Sequence, residues 1–227
     1  MSADAAFTYA RSFLRVLADS NQSNDLLVCE EISSVDRYET FVPMMQQTAE
    51  GRAILQERPT ISRSSTDYGA LRSLPEGSLG RSYADHMERL QLEPDLLAGT
   101  VTRGRSDEAN FLLERGRQTH DIWHVAVGLG AAPYEEVLLQ AFQWAQLHTL
   151  HSALIVSLGS IKHLIAERRW PMLRHALLAG SRAGRRSEPL LRVFWERHWH
   201  EPLHELRARL GIVPASEWRG VSSIATP

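Results

Sequence analysis

Residues 133–167, PYEEVLLQAFQWAQLHTLHSALIVSLGSIKHLIAE, are the stretch that decides the fold. Apolar residues recur here at helical spacing on nearly every side of the predicted helix, which begins at Pro133 because proline suits the first helical position. A helix that is apolar all round is buried at the centre of a protein or contacts another apolar body. We therefore predict a central core helix; the alternative is that one side lines a tunnel for a lipid chain. His148 and His151 are expected to be polar core histidines and not a second metal site.

Helical spacing also dominates the rest of the chain, and no alternation of period two is long enough for a sheet. We predict one domain over residues 1–227, an all-α helical bundle around the central helix, with a metal site between two consecutive helices. Pro43 should kink or split the second helix. Residues 58–69 and 99–106 are predicted loops, and residues 213–227 a loosely held tail. The predicted helices cover residues 3–19, 37–57, 79–92, 107–129, 133–166, 168–180 and 194–210.

Composition limits the classes of function. Of the 227 residues, 43% are hydrophobic, which is enough for a sizeable core. The net charge of -2 provides no general attraction to nucleic acid, so no nucleic-acid partner is expected. Cys29 is the single cysteine, which excludes an intramolecular disulfide and a multi-cysteine zinc site. The sequence has no secretory signal, and its longest apolar run, residues 153–159, is too short to span a bilayer. We expect a protein that is soluble or touches a membrane without crossing it.

A histidine pair precedes the central helix in the segment HDIWH, residues 120–124. Each helical residue advances by about 100°, so His120 and His124 stack on one face and Asp121 falls about 60° from His124. Two glycines and a proline then break the helix, and a second helix that folds back would bring Glu136 over the pair. Two imidazoles and one or two carboxylates from adjacent helices suit a divalent metal. Buried, hydrogen-bonded structural histidines are the equal alternative.

Residues 200–204, HEPLH, match the metalloprotease pattern H-E-x-x-H letter for letter. That pattern requires a continuous helix, and Pro202 removes a backbone donor and clashes with the preceding turn. We predict that a helix starts at Pro202 and leaves His200 outside it, so that His200 and His204 share no helical face. A zinc protease at the first histidine pair is excluded as well, because Asp121 stands where that class needs Glu.

Residues 168–186 carry six arginines and no acidic residue. Such a segment is usually a solvated helix and loop. The alternative is a surface that contacts phosphate or anionic lipid headgroups.

Three segments together resemble a known family. The spacing of His120, Asp121, His124 and Glu136 is similar to the signature of the coenzyme Q biosynthesis protein 4 family. The sequence LPEGSLGRSYA at residues 74–84 resembles the loop-to-helix segment of that family, and its carboxy-terminal block resembles GRRSEPLL at 184–191, WERHW at 195–199 and PL at 202–203. The resemblance covers about residues 70–212, in order, whereas residues 1–69 are less diagnostic.

The resemblance implies an all-helical protein that binds a divalent metal through His120, Asp121, His124 and Glu136 and a prenylated lipid beside it. Zinc is the metal expected first, with iron, magnesium and manganese as alternatives that this ligand set does not exclude. Asp121 is then either a ligand or an outer partner that orients an imidazole. The family is associated with an oxidative decarboxylation, in which the ring carboxylate of a polyprenyl precursor is replaced by a hydroxyl. The alternative is a non-catalytic scaffold that organises partner biosynthetic enzymes.

Further expectations concern the lipid and the partners. Leu139, Phe142 and Trp144 follow Glu136 within the next helical turns, which predicts that they bind the prenyl tail. The expected partners are a prenylated lipid or quinone precursor, other quinone-biosynthesis proteins, a peripheral membrane surface and a second copy of the chain in a homo-oligomer. The lack of a transit-peptide pattern predicts a bacterial, cytoplasmic member that lies peripherally on the inner membrane. No catalytic residue is assigned beyond the metal-site residues.

Overall fold

The structure is a computed structural model that describes residues 23–95, 101–167 and 170–218, together with residues 4, 7–9, 11 and 12. Within these ranges the chain is helical and contains no β-strand, which confirms the all-α prediction. The α-helices are α1 (Ser23–Glu39), α2 (Val42–Gln46), α3 (Ala49–Glu57), α4 (Tyr68–Arg72), α5 (Leu79–Arg89), α6 (Asp107–Gln118), α7 (His120–Val127), α8 (Pro133–Leu147), α9 (Leu150–Glu167), α10 (Trp170–Arg186) and α11 (Leu203–Leu210), and three short 3-10 helices cover Leu190–Arg192, Trp195–Arg197 and Ala215–Glu217.

Helix α8 lies at the centre of the core. It packs against α9 on one side and against α10 on the other. Leu138, Leu139 and Phe142 of α8 have no exposed surface. Helix α10 approaches closely because Gly184 has no side chain: a Cβ there would lie 2.5 Å from the Phe142 carbonyl oxygen. The prediction of a central apolar helix is therefore confirmed for residues 133–147.

The single long helix predicted over residues 133–166 was wrong, because two helices occupy this stretch. His148 adopts a left-handed conformation, with φ of 51°, and its N–H donates to the Trp144 carbonyl. Thr149 then caps α9, since its hydroxyl accepts from the backbone N–H of Ser152. His148 and His151 consequently do not share one helix, and the Thr-x-x-Ser signal at the break was visible in the sequence.

Other predicted boundaries moved for similar local reasons. The helix predicted over residues 107–129 is divided at Thr119, whose hydroxyl donates to the Arg115 carbonyl at 2.8 Å. The region predicted as one helix over residues 37–57 contains the end of α1, all of α2 and α3, and Thr48 as the cap of α3. Its predicted interruption near Pro43 is confirmed, because α2 begins next to that residue.

The carboxy-terminal predictions are confirmed only in part. Within the predicted helix 194–210, only Leu203–Leu210 is α-helical, with Pro202 as its cap and His200 outside it, as expected. The predicted loose tail at 213–227 begins too early, because Trp218 is buried and its ring stacks on Phe142 at 6.4 Å. Most of the predicted helix 3–19, and residues 219–227, lie outside the described residues. Among the described helices, none combines the length and the apolar character needed to cross a bilayer.

Candidate metal centre

Helices α7 and α8 bring three of the predicted ligand residues together. The four-residue spacing on α7 stacks His120 and His124, whose Nε2 atoms lie 3.2 Å apart. Gly128 ends α7 in the left-handed conformation, at φ of 79°, and Pro133 begins α8 after the turn. Glu136, in the first turn of α8, places Oε2 3.3 Å from Nε2 of His120 and 3.1 Å from Nε2 of His124. The turn therefore returns the carboxylate to the histidine pair, as the spacing predicted.

The triangle of donor atoms fits a divalent metal. A metal about 2.0–2.2 Å from nitrogen and oxygen ligands holds neighbouring donor atoms about 3.0–3.5 Å apart. The three separations measured between the donors are 3.2, 3.3 and 3.1 Å. In the described part of the chain, this is the group of His, Cys, Asp or Glu side chains whose donor atoms all lie within 4.8 Å of one another. Metal binding itself stays a prediction.

The same proximity shifts the pKa values of the two charged groups. Burial alone would lower the pKa of His120, but the Glu136 carboxylate overcomes this effect and raises the pKa to about 9. Burial alone would raise the pKa of Glu136, but His120 and His124 hold it well below its ordinary value. Without a metal, His120 is therefore protonated at neutral pH and paired with Glu136. A metal must displace this proton, because only a neutral imidazole can act as a ligand.

Two glutamines on α8 extend the polar face that Glu136 begins. The amide nitrogen of Gln140 donates to Oε1 of Glu136 at 2.9 Å. The amide of Gln143 lies 3.1 Å from Nδ1 of His120, so it can orient the imidazole from the side away from the triangle. Sequence reasoning missed both side chains, although polar residues at 136, 140 and 143 in an otherwise apolar helix were a visible signal.

His86 of α5 stacks on His124 from another part of the chain. The two ring centroids are 5.9 Å apart, with an interplanar angle of 24°. Nε2 of His86 and Nδ1 of His124 are buried and have no hydrogen-bond partner among the described residues. Burial, reinforced by His124, lowers the pKa of His86 to about 4, so this ring is neutral at physiological pH. No local spacing in the sequence relates residue 86 to residue 124, and sequence reasoning did not place His86 here.

Asp121 lies near the triangle but not in it. The carboxylate is half-buried and is absent from the group of donor atoms formed by His120, His124 and Glu136. Its negative charge nevertheless contributes to the pKa of both His86 and His120, in each case in the raising direction. The structure thus shows Asp121 as a neighbouring charge, and its role as a direct ligand stays a prediction.

A cavity of about 240 Å³ opens beside the triangle. Helix α8 contributes Glu136, Gln140, Gln143 and Leu147 to its wall, four residues at helical spacing. Further lining residues come from α1, α6, α7 and the beginning of α9. The exposed fraction of the Glu136 side chain, 35%, is surface that this cavity makes accessible. A small molecule in the cavity would therefore contact the proposed metal ligands directly.

The residues predicted to bind the prenyl tail do not line this cavity. Leu139 and Phe142 are fully buried in the protein core, where Phe142 packs on Trp218. Trp144 is exposed at the surface. The reason is the helical register of α8, whose polar side faces the cavity while its most apolar side packs into the core. An apolar group beside the triangle would instead contact Leu27, Leu147 and Ile155, which line the cavity.

Known proteins share this chain's sequence and fold. Residues 2–216 match the family described as coenzyme Q (ubiquinone) biosynthesis protein Coq4. Over 168 residues the chain is 35% identical to the mitochondrial ubiquinone biosynthesis protein COQ4 homolog of Bos taurus, and 34% identical to that of Homo sapiens. Each alignment covers 74% of this chain but only 63% of the relative's length.

A solved structure extends the similarity to the fold. The crystal structure of a protein from Nostoc punctiforme, described as a ubiquinone biosynthesis protein, is similar with a TM-score of 0.71 and 26% sequence identity. The match covers 91% of this chain and 96% of the Nostoc chain. The similarity therefore extends through nearly the whole helical arrangement and not only through the segment around the histidine pair.

Proposed function

Since the chain belongs to the coenzyme Q (ubiquinone) biosynthesis protein Coq4 family, we propose that it binds a divalent metal and a prenylated lipid and acts in the oxidative decarboxylation of a polyprenyl benzoate ring. The observation that supports this function most directly is the cavity beside His120 and Glu136, which provides polar groups next to a space of about 240 Å³. That volume can hold an aromatic ring, because a cavity of about 150 Å³ accommodates benzene.

His120, His124 and Glu136 are the proposed ligands. Two imidazoles and one carboxylate are a ligand set for zinc and also for ferrous iron in oxygenases. The two metals differ chemically, since zinc has no redox chemistry of its own. When bound, the metal would act as a Lewis acid that polarises an oxygen of the ring or lowers the pKa of a bound water.

The side chains around the ligands have separate tasks in this proposal. Gln143 and Gln140 hold His120 and Glu136 in position through the contacts of 3.1 Å and 2.9 Å. The cavity walls exclude bulk water from the ring and strengthen the electrostatic contacts inside. Leu147 and Ile155 offer apolar surface to the first units of the prenyl tail.

Incubation of the metal-loaded protein with a prenylated 4-hydroxybenzoate tests the reaction. Mass spectrometry should show loss of the ring carboxylate and gain of a hydroxyl, and the reaction should stop in His124→Ala. Protein prepared separately with zinc and with ferrous iron would show which metal supports turnover. Tight binding without turnover, for every metal and oxidant tried, would contradict the enzymatic reaction and favour a prenyl-lipid-binding scaffold that organises other quinone-biosynthesis proteins or further copies of this chain.

Helix α10 offers the surface on which we propose peripheral membrane contact. Arg174, Leu178, Arg182 and Arg185 are exposed, while the opposite side of the helix packs against α8. A basic residue near an anionic bilayer contributes about 1 kcal/mol, and salt screens this attraction. Replacement of the three arginines by Gln should weaken sedimentation with anionic liposomes and leave sedimentation with neutral liposomes unchanged. Binding that is the same in the variant would contradict this surface.

A further inference from the structure

Arg117 lies in the cavity wall, three residues before His120. Its side chain is only 4% exposed and is tied to α1 by two contacts. Nε donates to Oε2 of Glu30 at 2.7 Å, and Nη2 donates to the carbonyl oxygen of Leu27 at 2.9 Å. The guanidinium is therefore buried and held in one position beside the proposed metal ligands.

Two donors in this wall have no acceptor within the described part of the chain. A guanidinium carries five N–H groups, and the contacts of Arg117 use Nε and Nη2 but not Nη1. The hydroxyl of Tyr38 is the second such donor, on a side chain that is 3% exposed. Tyr38 reaches this place because Gly116 has no side chain: a Cβ there would lie 2.7 Å from the Tyr38 hydroxyl oxygen. Tyr38 and Arg117 both line the cavity that His120 also lines.

Buried donors without acceptors are costly, so this wall is suited to a ligand that accepts hydrogen bonds. The charges indicate an anion. Arg117 and Glu30 neutralise one another, whereas Glu136 neutralises only one of the two charges of a divalent metal. One negative charge on the ligand would complete the balance. A carboxylate has both the charge and the paired oxygens that a guanidinium and a hydroxyl can bind.

We propose that Arg117 and Tyr38 form a carboxylate subsite, which holds the acid group of a small aromatic carboxylic acid while its ring fills the cavity toward His120 and Glu136. This inference rests on the proposed function and specifies its substrate class. The cavity selects the ring before it loses the carboxylate, over the neutral phenol that lacks one. Glu30 acts as a positioning residue, because it holds the guanidinium and does not contact the ligand.

Calorimetric titration of the metal-loaded protein with two probes tests the subsite. The probes are 3-prenyl-4-hydroxybenzoate and 2-prenylphenol, which differ only in the carboxylate. Arg117→Gln should weaken binding of the acid by about tenfold to a hundredfold, as expected for a charge-assisted hydrogen bond. Tyr38→Phe should weaken it by about threefold to tenfold. Both variants should bind the phenol within about twofold of the unchanged protein, since the phenol has no group for this wall.

Arg115 provides a matched control. It also forms a buried ion pair, with Glu196 at 2.9 Å, but neither side chain lines the cavity. Arg115→Gln should therefore leave the preference for the acid over the phenol unchanged. Arg117→Gln leaves Glu30 unpaired, so the double variant Glu30→Gln/Arg117→Gln is needed as well; it removes both charges and should lose the same preference for the acid.

The possible outcomes separate this subsite from the reaction. If Arg117→Gln and the double variant weaken the acid and the phenol equally, Arg117 is merely structural and the subsite is refuted. If the unchanged protein prefers the acid and loses that preference in both variants, but never converts the acid, the subsite stands and the proposed reaction fails. Conversion of the acid with an undiminished preference in the variants would refute the subsite and leave the reaction standing.

Discussion

The ion pair between His120 and Glu136 predicts how the stability of the metal-free protein depends on pH. His120 has a folded-state pKa of about 9, above the ordinary value of 6.5. A group whose pKa is raised by folding stabilises the protein fully below its unfolded pKa, and this stabilisation disappears as the pH rises through the folded pKa. With a chelator present, the free energy of unfolding should therefore fall between pH 6 and pH 9.

The magnitude follows from the shift of the His120 pKa. The difference between 6.5 and about 9 is about 2.5 units, and each unit corresponds to 1.36 kcal/mol, which makes about 3 kcal/mol. Most of this amount is lost by pH 9. It belongs to the pair and is counted once, because the lowered pKa of Glu136 expresses the same interaction. The His120 side chain is only 16% exposed, so solvent screening reduces the effect little.

Urea denaturation in a chelator, followed by circular dichroism at pH 6 and pH 9, measures this loss. Glu136→Gln removes the anion and should remove about 3 kcal/mol of the pH dependence. Glu205→Gln is the control, because the contact of Glu205 with His204 is 3.9 Å long and exposed, and it should behave like the unchanged protein. Identical pH dependence in the unchanged protein and in Glu136→Gln would refute the buried ion pair.

The remaining predictions concern the metal and the core. His124→Ala should reduce bound metal to less than a tenth of an equivalent in elemental analysis, whereas His204→Ala should retain it; equal loss in both would contradict the assignment. Metal binding at pH 7 should release about one proton from His120, so its apparent affinity should rise by about tenfold per pH unit up to about pH 9, as calorimetry in buffers of different ionisation enthalpy would show. Phe142→Ala should lower the free energy of unfolding by about 3–5 kcal/mol because it empties a fully buried site, whereas Trp144→Ala should change it by only about 0.5 kcal/mol. Denaturation curves that rank these two variants in the opposite order would contradict the assigned register of α8.

Local signals accounted for much of the fold. The helical periodicity was sufficient to predict an all-α protein and a central apolar helix, because burial of one side or all sides repeats every few residues. The breaks at Thr119 and His148 were missed, because one residue in an altered backbone conformation is enough to end a helix while the apolar pattern continues. Neither position carries the glycine or proline that marks the break after α7.

The sequence by itself determined that His120, His124 and Glu136 would meet, because the helix repeat and one turn relate these residues over a short separation. Only the tertiary structure decided what surrounds them. His86 and Tyr38 come from helices distant in sequence, and their approach depends on how α5 and α1 pack against α7 and α6. The direction of α8 was equally a tertiary outcome: apolar residues occupy most of its sides, so periodicity could not decide that its polar side, and not its most apolar side, would face the cavity.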